Sequence, residues 1–327
     1  MAGLRGNVAW LMAQKQTAKG TLATPAVPGV AAGAWKQPFS GGSIGPTRTT
    51  DNLSETDASR DQGTTYVQQT GVEGSPEIYV RDANIGFWLW AALGADAVTG
   101  TTNFAHVLTP ANNLPYISIW KMLGDTLYES YRDCKVGSIE IAAEAGNPLT
   151  ATLGIQGLQA TRLTTDPSTT PAIPMQNGTV YNYNNATVTL GGSVTALVRS
   201  FTLTIENNLT MQQTDDSVPY DVVEGLREVT LGFDLIFEDL SEYNKFHYGG
   251  AAGTTISSNT FTTSALFTFS LGVNNSVSFN LPSIAYQEFP VEPDPGGDPV
   301  VASVRAVGQR GGSPTVTATV NNQVAVY

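Results

Sequence analysis

This chain has one cysteine, two histidines and few charged groups. Cys134 has no second cysteine with which to close an intramolecular disulfide, and no basic segment followed by an apolar one opens the sequence. Together these point to folding in a reducing cytoplasm. His106 in FAHVLTP and His247 in KFHYGG lack HxH, HExxH or paired-cysteine spacing, so no zinc site is expected. No GxSxG elbow, GxxxxGKS/T loop or GxGxxG fingerprint occurs, and the glycine-rich pieces VPGVAAGA, FSGGSIG and YGGAAG lack the strand-to-helix setting of a phosphate cradle. The acidic stretches SETDASRD and EPDPGGD lack calcium-loop spacing and read as solvated loops.

Basic residues are also in short supply. With 16 of them against 28 acidic ones the net charge is −12, which argues against condensation on nucleic acid or an anionic membrane. The longest apolar stretch, IGFWLWAALGA, is far shorter than the ~20 residues a membrane helix needs. Sequons at Asn52, Asn177, Asn185, Asn208 and Asn274 read as chance in an Asn/Thr-rich chain. The expectation is a protein with no catalytic residues, no cofactor, no metal and no membrane span.

What is present favours strands and turns. Hydrophobic residues make up 41% and charged ones 13%, too apolar for a disordered chain, and Thr, Val, Gly, Asn and Tyr are abundant. At 327 residues the prior is two domains, and an internal echo supports that number. GNPLTATLGIQG from Gly146 and GDPVVASVRAVG from Gly297 lie 151 positions apart, as do VEG at Val72 and VEG at Val223. ISIWKMLG matches FTFSLG, and TTDNL more weakly matches TIENNL, with a spacing that drifts as loop insertions allow. Each half runs through an extended arm, a strand, a short helix, two strands, a turn and a strand.

The repeat gives an α+β, mainly β chain of two tandem modules. We expect an extended N-terminal arm over 1–34, a first module over 35–160, a Thr/Pro-rich linker over 161–177 and a second module over 178–327. Gly94 and Gly249 stand where left-handed residues close helices, and Asp82 and Asp239 where N-caps are expected. Phe87, Trp88, Trp90 and Leu93 recur at helical spacing and read as the face of the first helix that meets the core; exposure of some would mark a subunit interface.

Strand alternation separates two faces. Ile139, Ile141 and Ala143 oppose Glu140 and Glu144; Phe201, Leu203 and Ile205 oppose Thr202, Thr204 and Glu206; Val229, Leu231, Phe233, Leu235 and Phe237 oppose Glu228, Thr230 and Asp234. This is the pattern of an antiparallel sheet with one buried and one wet face, and the wet face is acidic.

RGNVAWLMAQKQTAKGTLATP, VEGSPEIYVRDANIGFWLWAALG, CKVGSIEIAAEAGNPLTATLGIQG, SFTLTIENNLTMQQ and REVTLGFDLIFEDLSEYNKF resemble, in family order over nearly the whole chain, the major tail tube proteins of long-tailed bacteriophages. The resemblance implies a structural virion protein whose antiparallel β-sandwich or partial-barrel modules assemble into stacked rings. The inner strands would form a β-barrel continuous across subunits, around a lumen that carries DNA into the host. It also implies tail terminator, tape measure and baseplate partners, synthesis in the bacterial cytoplasm and residence in the virion tail.

A fused pair of modules suits trimeric rings of pseudo-sixfold symmetry. The N-terminal arm and the polar loop TTDNLSETDASRDQGTTYVQQTGVEGS, long and without a pattern of their own, are expected to become ordered against neighbouring subunits. Glu140, Glu144, Glu206 and Asp234 are the candidate lumen residues, since carboxylates would not hold passing DNA; an outer solvated face accounts for them equally well. A surface adhesion or capsid-decoration protein would share the composition without needing two modules or long arms. An enzyme would need a pocket that gathers His106 or His247 with two carboxylates.

Overall fold

Side chains that alternate between core and water organise most of the chain in the computed structural model, which describes residues 5–29, 33–56, 61–195, 197–238, 240–291, 296, 299–311 and 313–327. In the first half, β1 (Ala9–Lys15), β2 (Trp35–Gln37), β3 (Ile44–Asn52), β4 (Thr65–Gly74) and β5 (Glu77–Tyr79) precede helix α1 (Ile85–Leu93). β6 (Gly94–Gly100), β7 (Phe104–Pro110), β8 (Ile117–Leu123), β9 (Leu127–Glu144), β10 (Thr150–Gly157) and β11 (Gln159–Leu163) follow it. In the second half, β12 (Ala186–Leu190), β13 (Ser193–Thr195), β14 (Val198–Glu206), β15 (Thr210–Gln212), β16 (Asp221–Val223) and β17 (Glu228–Ile236) precede α2 (Ser241–Tyr248). β18 (Thr262–Ser270), β19 (Ser276–Glu288), β20 (Val301–Gly308) and β21 (Thr317–Asn322) complete it. The fold is mainly β and antiparallel, as the alternation implies, and no barrel closes within the chain among the described residues.

One sheet runs through both halves. β4 and β5 pair with β10, β10 with β9, β9 with β14, β14 with β17, β17 with β20 and β20 with β19. The link between halves is β9 with β14, from Glu144 opposite Ser200 to Ser138 opposite Glu206. A second link pairs β21 with β7. Ile139, Ile141, Leu203, Ile205, Leu231 and Val304 lie on the core side and are 0–3% exposed; full burial of such a side chain contributes ~1.5–3 kcal/mol.

Polar contacts reinforce the junction. Asn207 donates to the Ala92 and Val136 carbonyls and accepts from Arg227, which also donates to the Ala111 carbonyl. Lys135 Nζ donates to the Val222 carbonyl and Glu224 at 2.8 Å each. Burial works against the charge on Glu224, but Lys135 and the Leu114 amide outweigh it and hold the carboxyl below its usual range. Tyr116 and Lys19 both bind Asp221.

Several expectations are modified. Residues 9–15, read as part of an extended arm, form β1, buried against β8 and β2 because AWLMA is apolar throughout. The loop over 49–75 is largely the hairpin β3–β4, whose distal residues are solvated on both faces and so give no alternation to read. Asp82 does not cap α1. Asn84 occupies that position, its side chain accepts from the Arg81 amide, and Asp82 accepts from Asn275 instead. Asp239 lies outside the described residues. Gly94 and Gly249 do close the helices with φ of 98° and 72°. Phe87, Trp88, Trp90 and Leu93 are buried, as is every other residue of α1, so the helix has no exposed face; no residue of α2 is buried.

The residues after β21 fold back over α1. A Cβ at Gly86 would overlap the Tyr327 ring. Alanine is favoured over glycine within a helix by ~1 kcal/mol, whereas overpacking costs ~1–3 kcal/mol. Gly86→Ala should therefore lower the unfolding midpoint, measured by thermal denaturation.

His106 ties down the same segment. Its Nδ1 is 2.8 Å from Asp96 and its Nε2 2.8 Å from the Val324 carbonyl, with the Tyr327 ring centroid 4.3 Å away. Both partners are acceptors, an arrangement that favours the doubly protonated ring, in which both nitrogens donate. Burial opposes that charge; the bonds to Asp96 and Val324 prevail, so His106 titrates above its ordinary value of 6.5. A raised imidazole contributes its full stability below 6.5 and loses it as the pH climbs through the folded value. Unfolding midpoints measured from pH 6 to 9 should fall more in the parent protein than in His106→Gln.

Candidate functional site: the acidic sheet face

The wet side of the continuous sheet gathers all four carboxylates singled out in the sequence, Glu140, Glu144, Glu206 and Asp234. Directly opposed residues in antiparallel strands share a face, so the register shows who stands beside whom. Glu140 lies between Thr152 of β10 and Thr204 of β14, and Thr204 is opposite Thr230 of β17. Glu144 is opposite Ser200, which is opposite Asp234, which is opposite Ser303 of β20. Ser200 and Ser303 each donate to a different oxygen of Asp234 at 2.7 Å, so hydroxyls from both flanking strands hold that carboxylate.

Glu206 stands between Ser138 and Glu228. Burial, then repulsion from Glu228, raises its carboxyl above the ordinary range despite the Asn208 backbone amide. It borders an open depression of about 520 Å³ with Glu73, Ser138, Gln156 and Asn208.

The same rows add groups not singled out as candidates. Glu77 is opposite Thr152, and Arg305 is opposite Gly232. Arg305 reaches Glu288 at 3.6 Å with both side chains more than half exposed, a pair worth little. The signal for Arg305 and Ser303 is present in VASVRAVG, where Ala302, Val304 and Ala306 alternate with them. Among the described residues of these rows Glu77, Glu140, Glu144, Glu206, Glu228 and Asp234 stand with the Arg305 guanidinium, while Lys135, opposite Gln156, is bound to Glu224; threonines fill spaces between the carboxylates.

Such a surface can repel polyanions and stay hydrated, but it presents no convergent acid, base and nucleophile. His106 meets a single carboxylate beneath the surface, and His247 lies among Tyr243, Phe246 and Tyr248. Cys134 is wholly buried and its thiol is pushed up by burial. Among the described residues no three His, Cys, Asp or Glu side chains are grouped to hold a metal ion, and no helix is long and apolar enough to cross a membrane.

Glu206 supplies a test of the face's electrostatics. A carboxyl raised in the folded state disfavours folding above its unfolded value and ceases to do so as acid protonates it. Glu206→Gln should raise the unfolding midpoint at pH 7, and the gain should vanish near pH 4; both are read by thermal denaturation.

A family model described as phage tail tube protein matches residues 6–324. Comparison with individual curated proteins gives no match. An antiparallel, mainly β chain with a broad polar sheet face, matched over almost its full length, belongs to the phage tail tube protein family and is a structural protein of the virion tail.

Proposed function

We propose that three copies of this chain close into a pseudo-sixfold ring, and that rings stack into the hollow tube through which DNA passes from capsid to host. The two modules, 35–160 and 178–327, each supply one sixth of the ring, and 161–177 connects them. The observation that carries this reading is the sheet running from β4 through β9 and β14 to β20, acidic on one face and apolar on the other. A ring built from such sheets turns one face to a lumen and packs the other against its own helices.

An acidic lumen suits passage. Duplex DNA carries about one negative charge per 1.7 Å, and a wall rich in Lys and Arg would hold it through counterion release. Glu140, Glu144, Glu206 and Asp234 act only on DNA that drifts close, because screening limits them to about 8 Å at physiological salt. The protein is made in the bacterial cytoplasm, and its tube meets tail terminator, tape measure and baseplate proteins.

Negative-stain microscopy of purified protein at rising concentration, with rotational averaging of end-on views, tests the ring. Threefold rings with six lobes are expected, and a monodisperse monomer under every condition contradicts the reading. In phage carrying Glu140→Lys and Glu144→Lys together, tubes should still form and DNA release should slow most at low salt, followed by fluorescence of a dye that reports ejected DNA.

A further inference from the structure

Among the described residues both lateral ends of the continuous sheet lack a further strand, although on β3 the outward Ile44 carbonyl already accepts from Lys121 Nζ and the Tyr131 hydroxyl, and Pro46 has no amide to donate. Among the described residues β3 pairs only with β4, and Tyr286 and Glu288, near the end of β19, pair only with β20. Unpaired edges invite another strand, and the chain contains a pattern for how this pair would be satisfied.

β10 pairs with β9 much as β20 pairs with β19, and both pairings slip by one residue at the same place. Val136 faces Ile155 and Ser138 faces Gly154, leaving Gly137 extra; Tyr286 faces Ala306 and Glu288 faces Arg305, leaving Gln287 extra. The match puts Ser138 in correspondence with Glu288. Val291 extends it, for it bridges Ala302 as Ile141 pairs with Ala151. On the other side, Ile44 faces Gly74, which faces Ile155, while Leu203 faces Leu231, which faces Ala306. Ile44 thereby corresponds to Leu203 and Thr47 to Glu206.

We propose that the β3 edge of one copy joins the β19 edge of the next in the register that joins β14 to β9 within the chain, with Thr47 opposite Glu288 and Ile44 opposite Val291. This rests on the ring reading above and names the strands that close it.

Two further observations agree. Ile205 is fully buried at the junction inside the chain, whereas Pro46, its counterpart on β3, is exposed; without an amide it leaves the junction between copies one backbone bond short of the internal one. Residues 207–227 clamp the first half, reaching the Ala92 carbonyl in the last turn of α1 and Lys135 of β9. Of their counterparts, 48–56 and 61–70 belong to the solvated end of the β3–β4 hairpin, and α2, the counterpart of α1, has no buried residue. The hairpin of one copy is placed to cover α2 of its neighbour as 207–227 covers α1.

Disulfide trapping tests the register. Asn207 donates to the Gly137 carbonyl and Ala145 to the Arg199 carbonyl, so Glu206 and Ser138 form a pair without mutual backbone bonds, the kind whose side chains lie closest. In protein carrying Thr47→Cys and Glu288→Cys, mild oxidation should give interchain disulfides at least about tenfold above either single variant, since opposed Cβ atoms fall within bridging range. Thr49→Cys with Glu288→Cys, two residues out of register, should not exceed the singles. Rings or tubes in the same sample with cross-linking no greater than in the displaced pair would overturn the edge assignment and leave the tube reading standing. Absence of rings, tubes and cross-links together would overturn both.

Discussion

The backbone pairing of residues 138–144 with 200–206 is the constraint on which the structure depends. Without it β9 and β14 would each be a raw edge and, among the described strands, only the β21–β7 pairing would join the halves; with it, every side chain from β4 to β20 is committed to one of two faces by a period of two. A shift of one residue at this junction would turn Leu203, Ile205, Leu231 and Phe233 to water and Glu206 and Asp234 to the core. The penalty for burying unpaired carboxylates is several kcal/mol each, so the register has no near competitor. The clamps by Asn207, Lys135 and Arg227 make the junction stiff as well as specific.

The wet face follows from the same constraint. Threonine is well suited to strands and offers hydroxyls without charge, so Thr152, Thr204 and Thr230 separate the carboxylates along each row. Where that spacing fails, at Glu206 beside Glu228, the carboxyl is raised; where hydroxyls flank a charge, as around Asp234, it is held by two short bonds. Hydration, rather than a binding geometry, is what this surface supplies.

Much of this was legible in the sequence because it is local. Alternation in SIEIAAEA, FTLTIE and REVTLGFDLIF placed the four candidate carboxylates together, and Gly94 and Gly249 ended the helices as expected. What was not legible is long-range or carries no pattern. β1 is apolar on both faces and β3–β4 polar on both over most of its length, so neither alternates cleanly. The pairing of β21 with β7 joins residues more than 200 positions apart, and no local signal reports it. Asp82 looked like a cap by position but is held by Asn275 from the second half.

In the proposed tube the face bearing Glu140, Glu144, Glu206 and Asp234 is the inner wall. A cryo-electron microscopy reconstruction of the assembled tube at side-chain resolution measures this directly. These carboxylates are expected on the lumen surface, with α1 and α2 outside the wall. A tube with this face outward, or buried between rings, would contradict it.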